Sequence, residues 1–303
     1  PTAELSLQGA LALPVGEPGQ GVKRITPLLN ITRLHNAIVA CSMMARALQL
    51  LRDYARRRLV SGAPLAARPL HRETLAELAV EYEAGLALTL ECFRLRGREE
   101  AGEADDAERA GLRLLTPLAK LFTAKQAVAV ASEALEGFGG AGYIEDTGLP
   151  GWLRDAQVLP IWEGTTNVLS LDVQRVLGKE GLFEAWAARA RERLAALAKG
   201  PVGAAAAGLR AALDEAVTAV PRALAGGQGF VEAGARRFAL RLASVAAGLA
   251  LAEQAAWALA HDRGPRSLVA AQRFTAERLP RLLDPADPAA RLRDSALLSG
   301  LLP

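Results

Sequence analysis

From Ile31 onward, apolar residues recur at three- and four-residue steps through Leu34, Ile38, Cys41, Ala45, Leu48 and Leu51, the spacing of one face of an amphipathic helix. The pattern runs to about Arg58, where Ser61-Gly62-Ala63-Pro64 stops it. A second long helix follows from about Pro69 to Arg96 through Leu75, Leu78, Tyr82, Leu86 and Leu90, and the acidic stretch Gly97–Asp106 reads as a solvated loop, Asp105 and Asp106 included. The third helix, about Ala107 to Glu136, carries Leu115, Leu118, Phe122, Ala129 and Leu135, with Pro117 expected to kink or restart it. After a glycine-rich loop, Gly137–Pro150, residues 152–177 hold two shorter helical pieces broken near Pro160. Beyond Gly178 the helices become alanine-rich, over 181–199, 203–224, 231–262, 265–279 and 288–298, separated by glycine and proline pairs. Before Ile31 the chain differs: residues 2–13 loosely alternate as one strand would, and Pro14 to Gly21 form a turn-rich linker.

The fold class expected is therefore mainly α: a helical bundle, a second helical extension, and one remnant β strand at the N-terminus. The expected boundaries are 1–24 for the strand and linker, 25–178 for the bundle and 179–303 for the extension. Composition agrees, with 51% hydrophobic and 5% aromatic residues among 303, and alanine and leucine dominating the apolar count. The longest charge-free apolar stretch in the tail is Leu242–Ala252, well short of the ~20 residues that span a bilayer, so no membrane span is expected.

Charge is unevenly placed. Residues 1–180 hold 20 basic and 22 acidic side chains, and 181–303 hold 16 and 11. A basic tail could attract phosphates or simply be a solvated arginine-rich surface. Nucleic acid is therefore a conceivable partner through 181–303, with Arg189, Arg193, Arg236, Arg237, Arg241, Arg263, Arg266, Arg273, Arg278 and Arg281 as the footprint. Cys41 and Cys92 lie in helices without metal-ligand or disulfide spacing and read as buried thiols of a reducing, intracellular compartment, cytoplasm and mitochondrial matrix remaining undistinguished. Three dispersed histidines, His35, His71 and His261, give no metal centre.

Two segments carry chemistry. Gly137-Phe138-Gly139-Gly140-Ala141-Gly142 satisfies GxGxxG, but a long helix precedes it where a dinucleotide fingerprint needs a buried strand, so a Rossmann site is excluded on context. Its glycines still allow a ligand to approach the backbone closely. In Ile161-Trp162-Glu163-Gly164-Thr165-Thr166-Asn167, one carboxylate stands between an aromatic pair and a glycine. Desolvation by Ile161 and Trp162 would push its pKa toward neutrality, as suits a general base; a surface or helix-capping carboxylate fits the same residues.

Arg58…Gly62, Glu136-Gly137-Phe138-Gly139-Gly140-Ala141-Gly142-Tyr143, Arg154-Asp155 and Ile161-Trp162-Glu163-Gly164-Thr165, in that order and with those gaps, resemble the C-terminal half of acyl-CoA dehydrogenases over about residues 15–178. The helical extension is similar to that of the AidB-like branch. The resemblance implies an FAD-dependent oxidoreductase of fatty acid metabolism acting on CH–CH bonds, with Glu163 as the base that removes the α-proton of an acyl-CoA while hydride goes to flavin N5. Some members place the base where Thr32 stands, and a threonine cannot serve. Arg33, Trp162 and Gly164 fall at substrate-binding positions, although Arg33 is equally a solvated charge at a helix start. Arg58, Glu136, Gly139, Gly140, Thr165 and Asn167 fall at FAD-binding positions. Arg58 is also one charge in the run 56–58, Thr165 is also a helix N-cap, and Glu136 replaces a donor glutamine with a group that only accepts.

By the same resemblance a homo-oligomer is expected, a tetramer or dimer of dimers, since the Arg58 and Gly139 contacts make sense across a subunit interface. The electron acceptor and acyl chain length are not legible. The residues before about 20 look like the end of a β-domain, so the sequence reads as the C-terminal part of such an enzyme and, alone, as inactive. A flavoprotein of this fold that binds nucleic acid, and a helical oligomer without catalysis, are the alternatives.

Overall fold

A computed structural model describes residues 3–179, 181–225, 227–279 and 299. Nine α-helices dominate the described residues. The front bundle consists of α1 (Gly21–Arg57), α2 (Pro69–Glu100), α3 (Asp106–Gly137), α4 (Leu149–Val158) and α5 (Thr166–Leu177). The extension adds α6 (Leu182–Leu197), α7 (Gly203–Ala225), α8 (Gln228–Ala260) and α9 (Arg266–Arg273), closed by a π turn at Phe274–Arg278. The helix expected at 288–298 lies outside the described residues.

Helix α3 is the axis of the front bundle, packed against α1, α2, α4, α5 and α6. It starts on a capping box: Asp105 Oδ1 accepts from the Glu108 amide at 2.8 Å, and Glu108 Oε2 accepts from the Asp105 amide at 3.2 Å. Asp105 is thus a helix cap rather than merely a solvated charge. Pro117 neither restarts nor ends α3, which runs unbroken to Gly137 with Thr116 and Pro117 both buried. Tertiary packing on all sides holds the turn that the missing proline N–H would otherwise loosen.

One apolar cluster runs from Leu34, Leu88 and Phe122 through Val173, Phe183 and Trp186 to Leu209, Leu242, Val245 and Phe274, so bundle and extension share a continuous core. A second cluster, built on Met44, Leu48, Leu51, Val130 and Phe138, lies between α1 and the C-terminal half of α3.

Three sequence expectations change. Residues 3–20 form no strand: Leu5, Leu7, Leu11 and Leu13 alternate as expected but are all exposed, and no partner strand among the described residues completes their hydrogen bonds. The stop after Arg58 is a small hairpin, β1 (Leu59–Val60) and β2 (Ala63–Pro64), whose two-residue turn puts both Ser61 (φ 49°) and Gly62 (φ 77°) in the left-handed region. Finally, the helices 23–57 and 228–260 are both long and apolar enough to cross a membrane by length and composition, which a count of uninterrupted apolar residues missed. In this fold 72% of the α8 window is buried against its neighbours.

Candidate active site

The turn between α4 and α5 carries Glu163. Its backbone is held in the left-handed region, φ 57°, unusual for a residue with a Cβ, and Gly164 follows at φ 105°. A Cβ at Gly164 would meet Leu169 Cδ2 at 3.2 Å, so the glycine answers both a conformational and a packing demand. Thr165 then caps α5, its side chain accepting from the Val168 amide at 3.4 Å.

Buried side chains from the bundle occupy the carbonyls of this turn. Asn36 Nδ2 of α1 donates to Leu159 O at 3.1 Å, Arg33 Nε of α1 to Glu163 O at 3.4 Å, and Lys120 Nζ of α3 to Gly164 O at 2.6 Å. Asn36 and Lys120 have no exposed surface at all. Burial, with the like charge of Arg33 adding to it, pulls the Lys120 ammonium down to about 8, against the opposing pull of Glu163. Arg33 is not a solvated charge: Nη1 donates to Asp172 Oδ2 of α5 at 2.7 Å, the two side chains 13% and 9% exposed. Asp172 also takes Arg113 at 3.3 Å and Arg175 at 4.0 Å.

Lys120 and Asp172 are the site residues that the sequence reading missed. For Lys120 a signal existed: a lone lysine in Leu118-Ala119-Lys120-Leu121-Phe122, with Thr116, Pro117, Thr123 and Ala124 at its helical neighbours and no acid to pair with. For Asp172 none did.

Glu163 is half-buried, but the expected enclosure by its neighbours is not found. Ile161 and Trp162 are 60% and 43% exposed, because the turn points them away from the bundle, leaving the carboxylate beside an open face. Thr32 turns its hydroxyl back onto the carbonyls of Leu28 and Leu29. Along the first third of α1 a groove of about 320 Å³ opens toward the α2–α3 turn, lined by Lys23, Arg96, Arg109 and Arg113, of which Arg96 pairs with Glu99 and Glu100, Arg109 with Asp106 and Arg113 with Asp172.

Of the candidate cofactor residues, Thr165 and Asn167 lie at the start of α5 beside Glu163, whereas Arg58, Glu136, Gly139 and Gly140 lie at the C-terminal ends of α1 and α3. Tyr54, one turn before Arg58, packs on Phe138, immediately before Gly139, with ring centroids 5.1 Å apart. Arg58 is exposed, has no ion pair among the described residues, and precedes the hairpin, which Arg68 pins by donating to Val60 O and Ser61 O. The glycine turn divides in two. A Cβ at Gly137 would meet Leu51 at 2.9 Å and one at Gly142 would meet Leu135 O at 2.0 Å, whereas Gly139 and Gly140 face open space. An exposed guanidinium at the end of α1 and an unobstructed glycine backbone at the end of α3 are each chemically suited to a dinucleotide's phosphates. Glu136, exposed nearby, offers acceptors only. Asn167 is exposed at the start of α5 and its Oδ1 accepts from Arg236 at 3.3 Å.

Residues 19–178, more than half of the chain, match the family described as acyl-CoA dehydrogenase, C-terminal domain. The chain belongs to the acyl-CoA dehydrogenase family. Residues 182–297 match the acyl-CoA dehydrogenase 11 C-terminal domain-like family. Acyl-CoA dehydrogenase family member 11 of Caenorhabditis elegans is 52% identical over 195 residues, covering 64% of this chain and 32% of that protein. The putative acyl-CoA dehydrogenase AidB of Escherichia coli is 36% identical over 184 residues, 60% and 33% respectively. Among solved structures, Caenorhabditis elegans ACDH-11 in complex with C11-CoA superposes with a TM-score of 0.87 at 37% identity, covering 94% of this chain and 49% of that one. The chain thus spans about a third of these curated relatives and about half of that solved chain.

The arginines of the extension are largely occupied. Arg193 pairs with Glu91 and Glu253, Arg266 with Glu83, Arg273 with Glu73 and Glu277, and Arg241 with Glu215. Three of these four tie the extension to α2. The Arg278 side chain and Arg281 lie outside the described residues.

Proposed function

We propose that this chain carries the base-bearing side of an FAD-dependent acyl-CoA dehydrogenase, with Glu163 removing the α-proton of an acyl-CoA thioester. The observation that carries the reading is the Glu163 backbone: a non-glycine residue in the left-handed region, kept there by buried donors, in a chain whose relatives are named for this reaction. Such conformations persist where surrounding contacts over-determine them, and they cluster at functional positions. A carboxylate is a competent base toward a proton acidified by the neighbouring thioester carbonyl, once held within hydrogen-bond reach of it.

The basic groove beside α1 suits the phosphates of a CoA, and the C11-CoA complex of the Caenorhabditis elegans relative supports a thioester ligand. Arg33, held by Asp172, acts on the reaction through the Glu163 carbonyl as much as through any substrate contact. Bound FAD would supply the acceptor for the β-hydrogen, taken as hydride at flavin N5. Arg58 would meet the pyrophosphate with its fork of donors, the backbone at Gly139 and Gly140 would lie against the adenosine part, and Thr165 and Asn167 would give polar contacts. Glu136 would have to accept a hydroxyl hydrogen there, since it cannot donate. Arg58 and Gly139 are both exposed, which suits contacts made to a cofactor seated on a second copy in a homo-oligomer.

Substituting Glu163→Gln in the full-length, FAD-loaded protein tests the reading. The amide is nearly isosteric and cannot take a proton, so kcat for undecanoyl-CoA with ferrocenium as acceptor is expected to fall by about 10²- to 10⁴-fold, with Tm unchanged. An unchanged kcat overturns it.

A further inference from the structure

We infer that Lys120 is a positioning residue for the Glu163 carboxylate: its buried ammonium on α3 and the Arg33 guanidinium on α1 hold the consecutive carbonyls of Gly164 and Glu163 and so fix the direction in which the Glu163 side chain leaves the backbone. The inference rests on the reading of Glu163 as base.

A peptide plane is rigid, so its orientation is set once its carbonyl is held. Here two successive carbonyls are held by cations from two different helices, and Asn36 holds that of Leu159 at the entry to the turn. Left free, residue 163 would relax out of the left-handed region, which is unfavourable for a Cβ-bearing residue. That relaxation would swing the Cα–Cβ bond and carry the carboxylate off its line to the substrate. Packing alone does not call for a lysine at this position. The side chain is fully buried in the most apolar helix of the bundle, pairs with no carboxylate among the described residues, and donates to a backbone oxygen. Methionine would fill a similar volume without a buried charge.

The charged groups around the carboxylate are Lys120 from α3 and Arg33 from α1. Asp172 of α5 stands behind Arg33, shared with Arg113 of α3 and Arg175 of α5. A loss confined to kcat, with KM and Tm held and part of the rate rescued by a neutral donor, is a signature that a purely structural role would not produce.

The test compares Lys120→Met, Lys120→Gln and Glu163→Gln in the full-length, FAD-loaded protein, with undecanoyl-CoA and ferrocenium. For Lys120→Met the expected result is a Tm at or above that of the unsubstituted protein, KM little changed, and kcat lower by about tenfold to a hundredfold. Lys120→Gln, which keeps a donor without the charge, should recover part of kcat with KM again little changed. A folded Lys120→Met with undiminished kcat, or one whose only change is a lower Tm, overturns the inference. So does failure of both Lys120 variants to fold, which would assign the residue to folding. An active Glu163→Gln would instead remove the base reading itself, whereas an inactive Glu163→Gln beside a fully active Lys120→Met removes only the role of Lys120.

Discussion

The front bundle and the extension share one apolar core but are built of different material. Among the described residues, the buried polar and charged side chains are Asn36, Thr89, Thr116, Lys120, Thr123, Gln126, Thr166, Ser170, Asp172 and Ser244, and only the last belongs to the extension. Buried polar groups lower stability unless each finds a partner, so a region that retains nine of them does so for a reason other than packing. Thr89, Thr116, Thr123 and Ser170 each donate to the carbonyl four residues back in their own helix, whereas Asn36, Lys120 and Asp172 converge with Arg33 behind Glu163. The extension buries alanine, leucine, valine and aromatic rings, and its arginines reach acids on α2. On the reading of Glu163 as base, chemistry and support are divided between the two.

The division is broken most directly by emptying the extension's core. Phe274 is fully buried and touches the place where Gly248 lets α8 pass close: a Cβ there would meet its Cε1 at 3.3 Å. Phe274→Ala should lower stability by about 3–5 kcal/mol. If the extension only supports, kcat per folded molecule at low temperature stays that of the unsubstituted protein. A kcat loss beyond the unfolded fraction, followed by denaturation and activity on the same sample, would show that the extension takes part in the chemistry.

The pH dependence of stability sharpens the same contrast. Lys120 titrates at about 8 in the folded chain and near 10.5 when unfolded. Below about pH 8 both states carry the proton, and the cost of burying the charge is fully present. Between those values the unfolded state holds more protons, so stability rises with pH, by up to roughly 3 kcal/mol. The buried thiols act in the opposite sense: burial raises Cys41 to about 11 and raises Cys92 too, so folding holds protons that the unfolded chain releases above about pH 9. The difference between the unsubstituted chain and Lys120→Met, measured by denaturant unfolding at about pH 7.5 and about pH 10, isolates the lysine. The variant's advantage should shrink as pH rises, and a pH-independent difference would mean that Lys120 keeps its charge throughout.

What could be read from the sequence follows from the range of the interaction involved. The helices were legible because their apolar spacing is local: Leu34, Cys41, Leu48 and Leu51 are buried on α1 as their steps imply. The GxGxxG match was correctly set aside on local grounds as well, since α3 leads into it. Glu163, Arg58 and the glycine turn were singled out through motif order and resemblance. The clamp was not, because Arg33 meets Asp172 from 139 positions away and Lys120 meets Gly164 from 44, and spacing along a chain says nothing about such pairs. The alternation in 3–13 misled for the reverse reason: a strand needs a partner as well as a pattern.

The smallest expected effect on stability separates glycines of function from glycines of fold within one turn. A methyl at Gly142 would stand 2.0 Å from the Leu135 carbonyl oxygen, a backbone atom that cannot move aside without unwinding the end of α3. Gly142→Ala should therefore lower stability by about 1–3 kcal/mol or more. Gly140, two positions earlier, has nothing within 4 Å of the same methyl and no left-handed φ, so Gly140→Ala should leave stability within about 0.5 kcal/mol of the unsubstituted protein or raise it slightly through lower chain entropy. If the open face at Gly139 and Gly140 is where the adenosine part of FAD lies, that same methyl intrudes on the cofactor. FAD affinity, read by flavin fluorescence on titration of the full-length apoprotein, should then fall by roughly tenfold, about 1.4 kcal/mol. An unchanged affinity in a folded Gly140→Ala would move the cofactor off the glycine turn. A Tm loss as large as that of Gly142→Ala would mean that this face is already covered in the assembled protein.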